Sequence, residues 1–151
     1  MSISIREAKF GDIQALLPLV DDYYASSPVP HVPNHDQLSQ HLTTLIQPDN
    51  HVGGLLVAQR DGELVGFAFL YYRFDKRNLM PVVDLNDLFV AASARRLGIA
   101  RQLMAATFAW AKQHGASQVT WMTRTTNHHA QSLYDQVGER ETGWLHHHHP
   151  L

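Results

Sequence analysis

The chain contains no cysteine in its 151 residues. Disulfides, thiolate metal sites and a cysteine nucleophile are therefore excluded, and the composition fits a reducing, cytoplasmic setting. No apolar run approaches the roughly 18–20 residues that a membrane-crossing helix needs. Met1–Arg6 alternates like a strand and lacks the apolar centre of a signal peptide. Neither charge sign dominates: 12 Lys+Arg stand against 14 Asp+Glu, a formal −2 with histidines neutral. A general nucleic-acid or membrane-surface partner is thus not expected. There is no internal repeat and no linker long enough to divide the chain, so a single domain over residues 1–151 is expected. Apolar residues make up 44% and charged residues 17%, the balance of an ordinary globular protein.

The hydrophobic pattern then gives an order of elements. Ile3 and Ile5 alternate with polar residues as in a strand. Asp12 is placed to cap a helix whose apolar stripe is Ile13, Leu16, Leu17 and Val20, running toward Tyr24. Ser26–Asn34 holds three prolines and reads as a loop. His35–Gln47 is helical in pattern, with Leu38, Leu42 and Leu45 on one side. Gly54–Arg60 and Glu63–Arg73 read as strands joined at Asp61-Gly62, a strong hairpin signal. Val82–Val90 is a further strand, Leu97–His114 a long helix ended by Gly115, Ser117–Arg124 an alternating strand, Asn127–Val137 a last helix ended by Gly138, and Trp144–His149 a final strand. A strand–helix–strand crossover from Val90 to Val119 predicts a parallel pair.

The most informative stretch is Arg95-Arg96-Leu97-Gly98-Ile99-Ala100, between the strand ending at Val90 and the long helix. The first N–H groups of a helix have no intrahelical partner and point outward with the positive end of the dipole. A phosphate placed there receives several hydrogen bonds at once. Gly98 removes the Cβ that would block the approach, and Arg95, Arg96 and Arg101 add charged donors. By itself such a turn is most often a solvated loop.

The spacing Arg-x-x-Gly-x-Ala resembles the pyrophosphate-binding motif of the GNAT superfamily of acyl-CoA-dependent N-acyltransferases, with Arg96 where glycine is frequent and Ala100 in place of the second glycine. About thirty residues on, Asn127-His128-His129-Ala130-Gln131-Ser132-Leu133-Tyr134 resembles the family's late helix. Two motifs in this order make the resemblance specific, and it extends from about Ile3 to the C-terminus. It implies an α/β (α+β) fold with a mixed, mostly antiparallel sheet, a splayed parallel pair and flanking helices. It also implies acetyl-CoA as cosubstrate, with no metal, and an amine acceptor. The alternative is a coenzyme A-binding regulatory module of the same fold without turnover. Many relatives dimerise, so a homodimer is expected.

The resemblance assigns the pantetheine arm to Leu88, Phe89 and Val90, and the pyrophosphate to the N–H groups of Arg96, Leu97, Gly98, Ile99, Ala100 and Arg101 beside Arg95. Asn127 has two readings: a helix N-cap, or a contact to the cysteamine end. Tyr134 is either a core tyrosine on the stripe Ala130, Leu133, Tyr134 and Val137, or, by resemblance, the general acid that protonates the departing thiolate. The general base is open. Many relatives carry Glu-Asp where this chain has Asn86-Asp87, and an amide cannot accept a proton usefully. In a regular strand Asp84 and Asn86 share one face and Asp87 the other. Asp84 acting through water, Asp87, or a water relay from elsewhere all remain. Glu141-Thr142-Gly143-Trp144 resembles the diamine acetyltransferase-like branch and points to a small primary amine. In this fold Asp21, Asp22, Tyr23 and Tyr24 lie toward the acceptor side, and acidic and aromatic groups suit a cation. The run His146–His149 could place two imidazoles on one strand face, but no third ligand is evident, so these read as ordinary strand residues.

Overall fold

The computed structural model describes residues 1–151. They form two compact units, Met1–Trp121 and Met122–Leu151. The first holds a five-stranded sheet in sequential order, β1 (Ile3–Glu7), β2 (Gly53–Arg60), β3 (Glu63–Asp75), β4 (Met80–Val90) and β5 (Val119–Thr120). Pairing is antiparallel from β1 to β4 and parallel between β4 and β5. Helices α1 (Ile13–Ala25), α2 (His35–Ile46) and α3 (Ile99–Gln113) belong to this unit. The second unit holds α4 (His128–Val137).

Period-two alternation sorts the sheet residues between two buried faces. Leu55, Val57, Phe67, Phe69 and Phe89 join Leu16, Leu17, Val20, Leu42 and Leu45 of α1 and α2 in one apolar cluster. The alternate residues face α3. A Cβ on Gly66 would lie 3.5 Å from Leu103, and one on Gly54 would lie 2.4 Å from the Trp110 ring. Gly54 is thus the residue that lets the indole lie flat on β2. Both faces being covered explains why β2 is apolar through Leu55, Leu56, Val57 and Ala58 rather than alternating. Asp61 and Gly62 carry the hairpin with φ of 52° and 87°, matching the primed turns that fit strand twist.

Four expectations are corrected. Asp12 sits at the N-cap of α1 but makes no side-chain cap bond there. Its carboxylate instead takes a two-pronged bond from Arg6 of β1 (2.7 and 2.9 Å) and accepts from the Lys9 N–H at 2.7 Å. A cap contributes about 1 kcal/mol, whereas bonds to a charged partner contribute about 1.5–3 kcal/mol, so the pairing with Arg6 wins. The helix expected from Leu97 begins at Ile99. The strand expected over Ser117–Arg124 shrinks to Val119–Thr120, because only Val83 and Asp84 of β4 lie opposite it. Trp144–His149 forms no strand: Trp144 and Leu145 are 83% and 85% exposed. A run of four histidines offers no alternating apolar face that a sheet could bury. The elements predicted at β1 through β4, α1, α2 and α4 are present within a few residues of their expected bounds.

Asp12→Ala is expected to lower stability by about 1–3 kcal/mol at neutral pH. Arg6 holds the Asp12 carboxyl below the usual carboxylate range. The contribution is therefore complete above the unfolded value of about 3.9 and is lost as pH falls through the lower native value. Urea denaturation of both proteins from pH 7 to pH 2.5 should show the difference narrowing at the acid end.

Candidate active site

The turn after β4 is held at both ends by buried side chains. Ala94, in a short 3-10 turn (Ala92–Ala94), is 0% exposed and Ile99 is 1% exposed. Arg95, Arg96, Leu97 and Gly98 between them stand in solvent. Gly98 is the N-cap of α3 at φ 76°, and Arg96 is also left-handed at φ 63°. A left-handed arginine costs of order 1–2 kcal/mol, which accounts for the glycine frequent at that place in the resembling motif. The first bond of the helix runs from Gln102 N to Gly98 O at 3.1 Å. The N–H groups of Ile99, Ala100 and Arg101 precede it and point out of the helix end with the positive dipole. A Cβ on Gly98 would meet nothing within 4 Å, so the space a phosphate needs is present. These features fit the pyrophosphate of coenzyme A.

The strand leading into the turn is open along one edge. β4 pairs with β5 only at Val83↔Val119 and Asp84↔Thr120, so its outer edge beyond Asp84 has no ladder partner. Toward β3, Ala91 N donates to Val65 O at 2.8 Å. By alternation Phe89 and Asp87 also turn their backbone groups to β3, while Leu88 and Val90 turn theirs to the open edge. Of the three expected pantetheine residues, Leu88 and Val90 thus have backbone positioned for an extended arm. Phe89 instead puts its side chain in the core, 8% exposed. The Val90 carbonyl accepts a bond from Arg95 Nε at 3.1 Å, which ties one arginine of the turn to the strand.

The two aspartates of β4 are brought together by a bulge. Phe69 pairs with Asp87 but Leu70 pairs with Leu85, leaving Asn86 as the extra residue. Directly opposed residues share a face. Asp87 therefore shares the face of Phe69, and Asp84, opposite Tyr71, shares it too. The regular-strand expectation, with Asp87 on the face away from Asp84, is overturned because one inserted residue restores the phase. Asn86 is exposed and its amide donates to Asp84 Oδ2 at 3.3 Å.

This face is walled by tyrosines. Tyr23 of α1 donates its hydroxyl to Asp87 Oδ1 at 2.6 Å. Its ring is packed against Tyr24, Phe67 and Phe89 with centroids 5.1, 5.9 and 5.8 Å away. Burial pushes the Asp87 carboxyl above its usual range, the Tyr23 bond partly offsets this, and the nearby Asp84 charge adds to the rise. Tyr71 is pushed up to about 12 by burial first, then by Asp87 and Tyr24. His41 of α2 lies 2.7 Å from its hydroxyl through Nε2. Sequence reasoning missed Tyr71 and His41; only strand register and the packing of α2 reveal them. Of the acidic pair at the end of α1, Asp21 is engaged by His35 at 2.9 Å and Asp22 is exposed.

Asn127 and Tyr134 belong to the second unit. Asn127 is the N-cap of α4, its side chain accepting from Ala130 N at 3.2 Å. Tyr134 lies with Ala130, Leu133 and Val137 on the half-buried stripe of the helix. Burial pushes its hydroxyl above the ordinary phenol value, so it is protonated at neutral pH. Arg140 pairs with Asp135 at 2.7 Å and reaches Gln131 at 3.1 Å, bracing the end of α4. His146 and His148 stack at 6.5 Å in the exposed tail, and no group of three or more His, Cys, Asp or Glu is arranged to hold a metal ion.

Known proteins are similar to this chain. The chain is 34% identical over 148 residues to the uncharacterized N-acetyltransferase YhfO of Bacillus subtilis (strain 168), covering 95% of each. It is 35% identical over 89 residues to an aminoglycoside N(6')-acetyltransferase type 1 of Salmonella typhimurium (strain LT2), covering 57% of this chain and 61% of that protein. An aminoglycoside N-acetyltransferase solved in complex with CoA superposes with a TM-score of 0.80 at 25% identity, covering 99% of this chain and 95% of that one. Residues 16–138 match the Acetyltransferase (GNAT) family. With a phosphate-ready helix terminus and an open strand edge in one unit, and kinship along nearly its whole length, the chain is an acyltransferase enzyme that belongs to the GNAT family of N-acetyltransferases.

Proposed function

We propose that the chain, residues 1–151 acting as one domain, transfers an acetyl group from acetyl-CoA to the primary amine of a small cationic molecule. The amine attacks directly within a ternary complex. The observation that carries this reading is the double use of β4. Its open edge at Leu88 and Val90 and its acidic face at Asp87 and Asp84 lie within a few residues of each other. Bound acetyl-CoA supplies the acyl group as a thioester. The N–H groups at the start of α3, with Arg95, Arg96 and Arg101, hold its pyrophosphate, and the edge of β4 holds the pantetheine arm.

The acceptor arrives as an ammonium, with an ordinary pKa near 10.4, and must lose a proton before attack. Asp84 and Asp87 hold the cation against the Tyr23, Tyr24 and Tyr71 wall, and Asp87 accepts the proton. Burial, by raising Asp87, makes it a stronger base than an ordinary carboxylate. As the new C–N bond forms and the C–S bond breaks, the Tyr134 hydroxyl donates to the sulfur, and the second proton lost by the nitrogen returns through water to the Tyr134 phenolate. The motif spacing and the protonated state of Tyr134 support that role. Without cysteine there is no thiol to carry the acyl group, which supports direct transfer. Two carboxylates on one face suit an acceptor with a second positive charge, a diamine or an aminoglycoside. The diamine-like Glu141–Trp144 stretch and the aminoglycoside acetyltransferases among the relatives support the same class. The reading also includes a cytoplasmic homodimer, which light scattering on the purified protein tests.

Thiol release measured over a panel of amines tests the activity itself; no turnover with any diamine, aminoglycoside or amino acid would defeat it. Gly98→Glu is expected to weaken acetyl-CoA binding at least tenfold by titration calorimetry, because a carboxylate then occupies the phosphate space. Tyr134→Phe is expected to lower kcat by about ten- to thousandfold with KM for acetyl-CoA little changed, the range for one acid–base group; an unchanged kcat removes Tyr134 from the reaction. Tyr23→Phe removes the bond that holds Asp87 down, so Asp87 rises further. A base works above its own pKa, so the acidic limb of kcat/KM against pH should move to higher pH in Tyr23→Phe and disappear in Asp87→Asn.

A further inference from the structure

The far end of α3 carries a cleft that acetyl transfer does not use. At 1.5 Å per residue, the fifteen-residue helix separates it from the phosphate turn by about 22 Å. Its volume is about 560 Å³, within the range of small-molecule sites, roughly 300–1,000 Å³. The residues that matter in its lining are Glu7, Asp49, Tyr72, Trp110 and His114.

The cleft is built around Trp110. The indole is 6% exposed and donates its N–H to Glu7 Oε1 at 2.8 Å. It stacks on His114 (centroids 3.9 Å, 21°) and on Tyr72 (5.6 Å, 29°). Gly54 makes room for it, as described above. The rim is fixed as well. Asn50 donates to the carbonyls of Leu45 and Gln47 (3.2 and 2.8 Å) and accepts from the N–H groups of Val52 and Gly53 (2.9 and 2.8 Å). That clamps the loop on which Asp49 stands with φ 61°.

The lining is rich in acceptors, beside the donors that Gln47, His51 and Tyr72 also bring. His114 Nδ1 lies 2.7 Å from the Trp110 carbonyl oxygen. A carbonyl only accepts, so Nδ1 carries a proton. Glu7 uses one oxygen on the indole and has a second. Asp49 adds another carboxylate, and the C-terminal end of α3 adds the negative end of a helix dipole. No lysine or arginine lines the cleft. Arg6, next to Glu7 in sequence, is engaged by Asp12, and Lys112 in the last turn of α3 is exposed to solvent. Two carboxylates with no lysine or arginine beside them, next to stacked rings, call for a ligand that brings N–H donors, positive charge and an apolar body.

We propose that this cleft is a second ligand site, separate from acetyl transfer, for a small organic cation of the alkylguanidinium or alkylammonium class. Glu7 and Asp49 hold the charged head, and the apolar part lies against the rings of Tyr72, Trp110 and His114. The test uses the full chain labelled with nitrogen-15 and titrated with butylguanidinium chloride, which has no primary amine to acetylate. The three tryptophans give three indole N–H resonances, assigned through Trp121→Phe and Trp144→Phe. The expected result is a saturable shift of the Trp110 resonance alone and no response to n-pentanol. Affinity should fall at least threefold in Glu7→Gln and in Asp49→Asn, the latter leaving the ring stack untouched, and should be unchanged in Asp87→Asn. A shift that never saturates, an equal response to pentanol, unaltered affinity in Asp49→Asn, or loss of binding in Asp87→Asn would each overturn the proposal.

Discussion

The parting of β4 from β5 is the constraint on which the candidate site rests. A parallel ladder that continued past Asp84 would consume the outward backbone groups of Leu88 and Val90 and leave no edge for an extended ligand. Because β5 pairs over only two residues, those groups face open space. The same strand carries a bulge at Asn86, within the stretch where the ladder to β5 has ended. The bulge keeps β4 bonded to β3 while rotating its face by one residue. One strand thereby combines an open edge and an acidic face, the pair on which the proposed function draws.

The turn after β4 depends on a second, local constraint. A helix can bind an anion only if its first N–H groups are exposed, yet the helix must also be fixed firmly enough to aim them. Burial of Ala94 on one side and Ile99 on the other does the fixing. Between them the backbone takes two left-handed residues, Arg96 and Gly98. Glycine adopts that conformation readily, whereas arginine is strained in it.

Burial raises both acidic groups, and their partners decide the outcome. Asp12 is paired with Arg6 and is held in its charged form, so it serves the fold by locking β1 to the start of α1. Asp87 is buried against aromatic rings with only a neutral hydroxyl as partner, so its charged form is disfavoured. The first arrangement stabilises the protein at neutral pH. The second raises basicity at the expense of stability, the usual direction for a group that handles protons.

Much of this was readable from the chain itself. Apolar periodicity gave β1 to β4 and the helices, Asp61-Gly62 gave the hairpin, and Arg-x-x-Gly-x-Ala after a strand marked the turn that opens α3. These are local signals, set by backbone preference and by which side of an element is apolar. Register is different: it is settled by contacts between residues far apart in sequence, and a bulge of one residue leaves no local mark. That is why Asp84 and Asp87 were placed on opposite faces, and why Tyr71 and His41 were not seen. Asp12 read as a cap because its competitor, Arg6, lies on another element. Trp144–His149 read as a strand because alternation says nothing about whether a partner edge exists. The sequence by itself determined the order of elements from β1 to α4, the arginine–glycine turn before α3 and the absence of any thiol chemistry. Only the tertiary structure decided which carboxylates share a face, which backbone groups remain unpaired and which rings enclose Asp87, because each of those depends on distances that the linear chain does not contain.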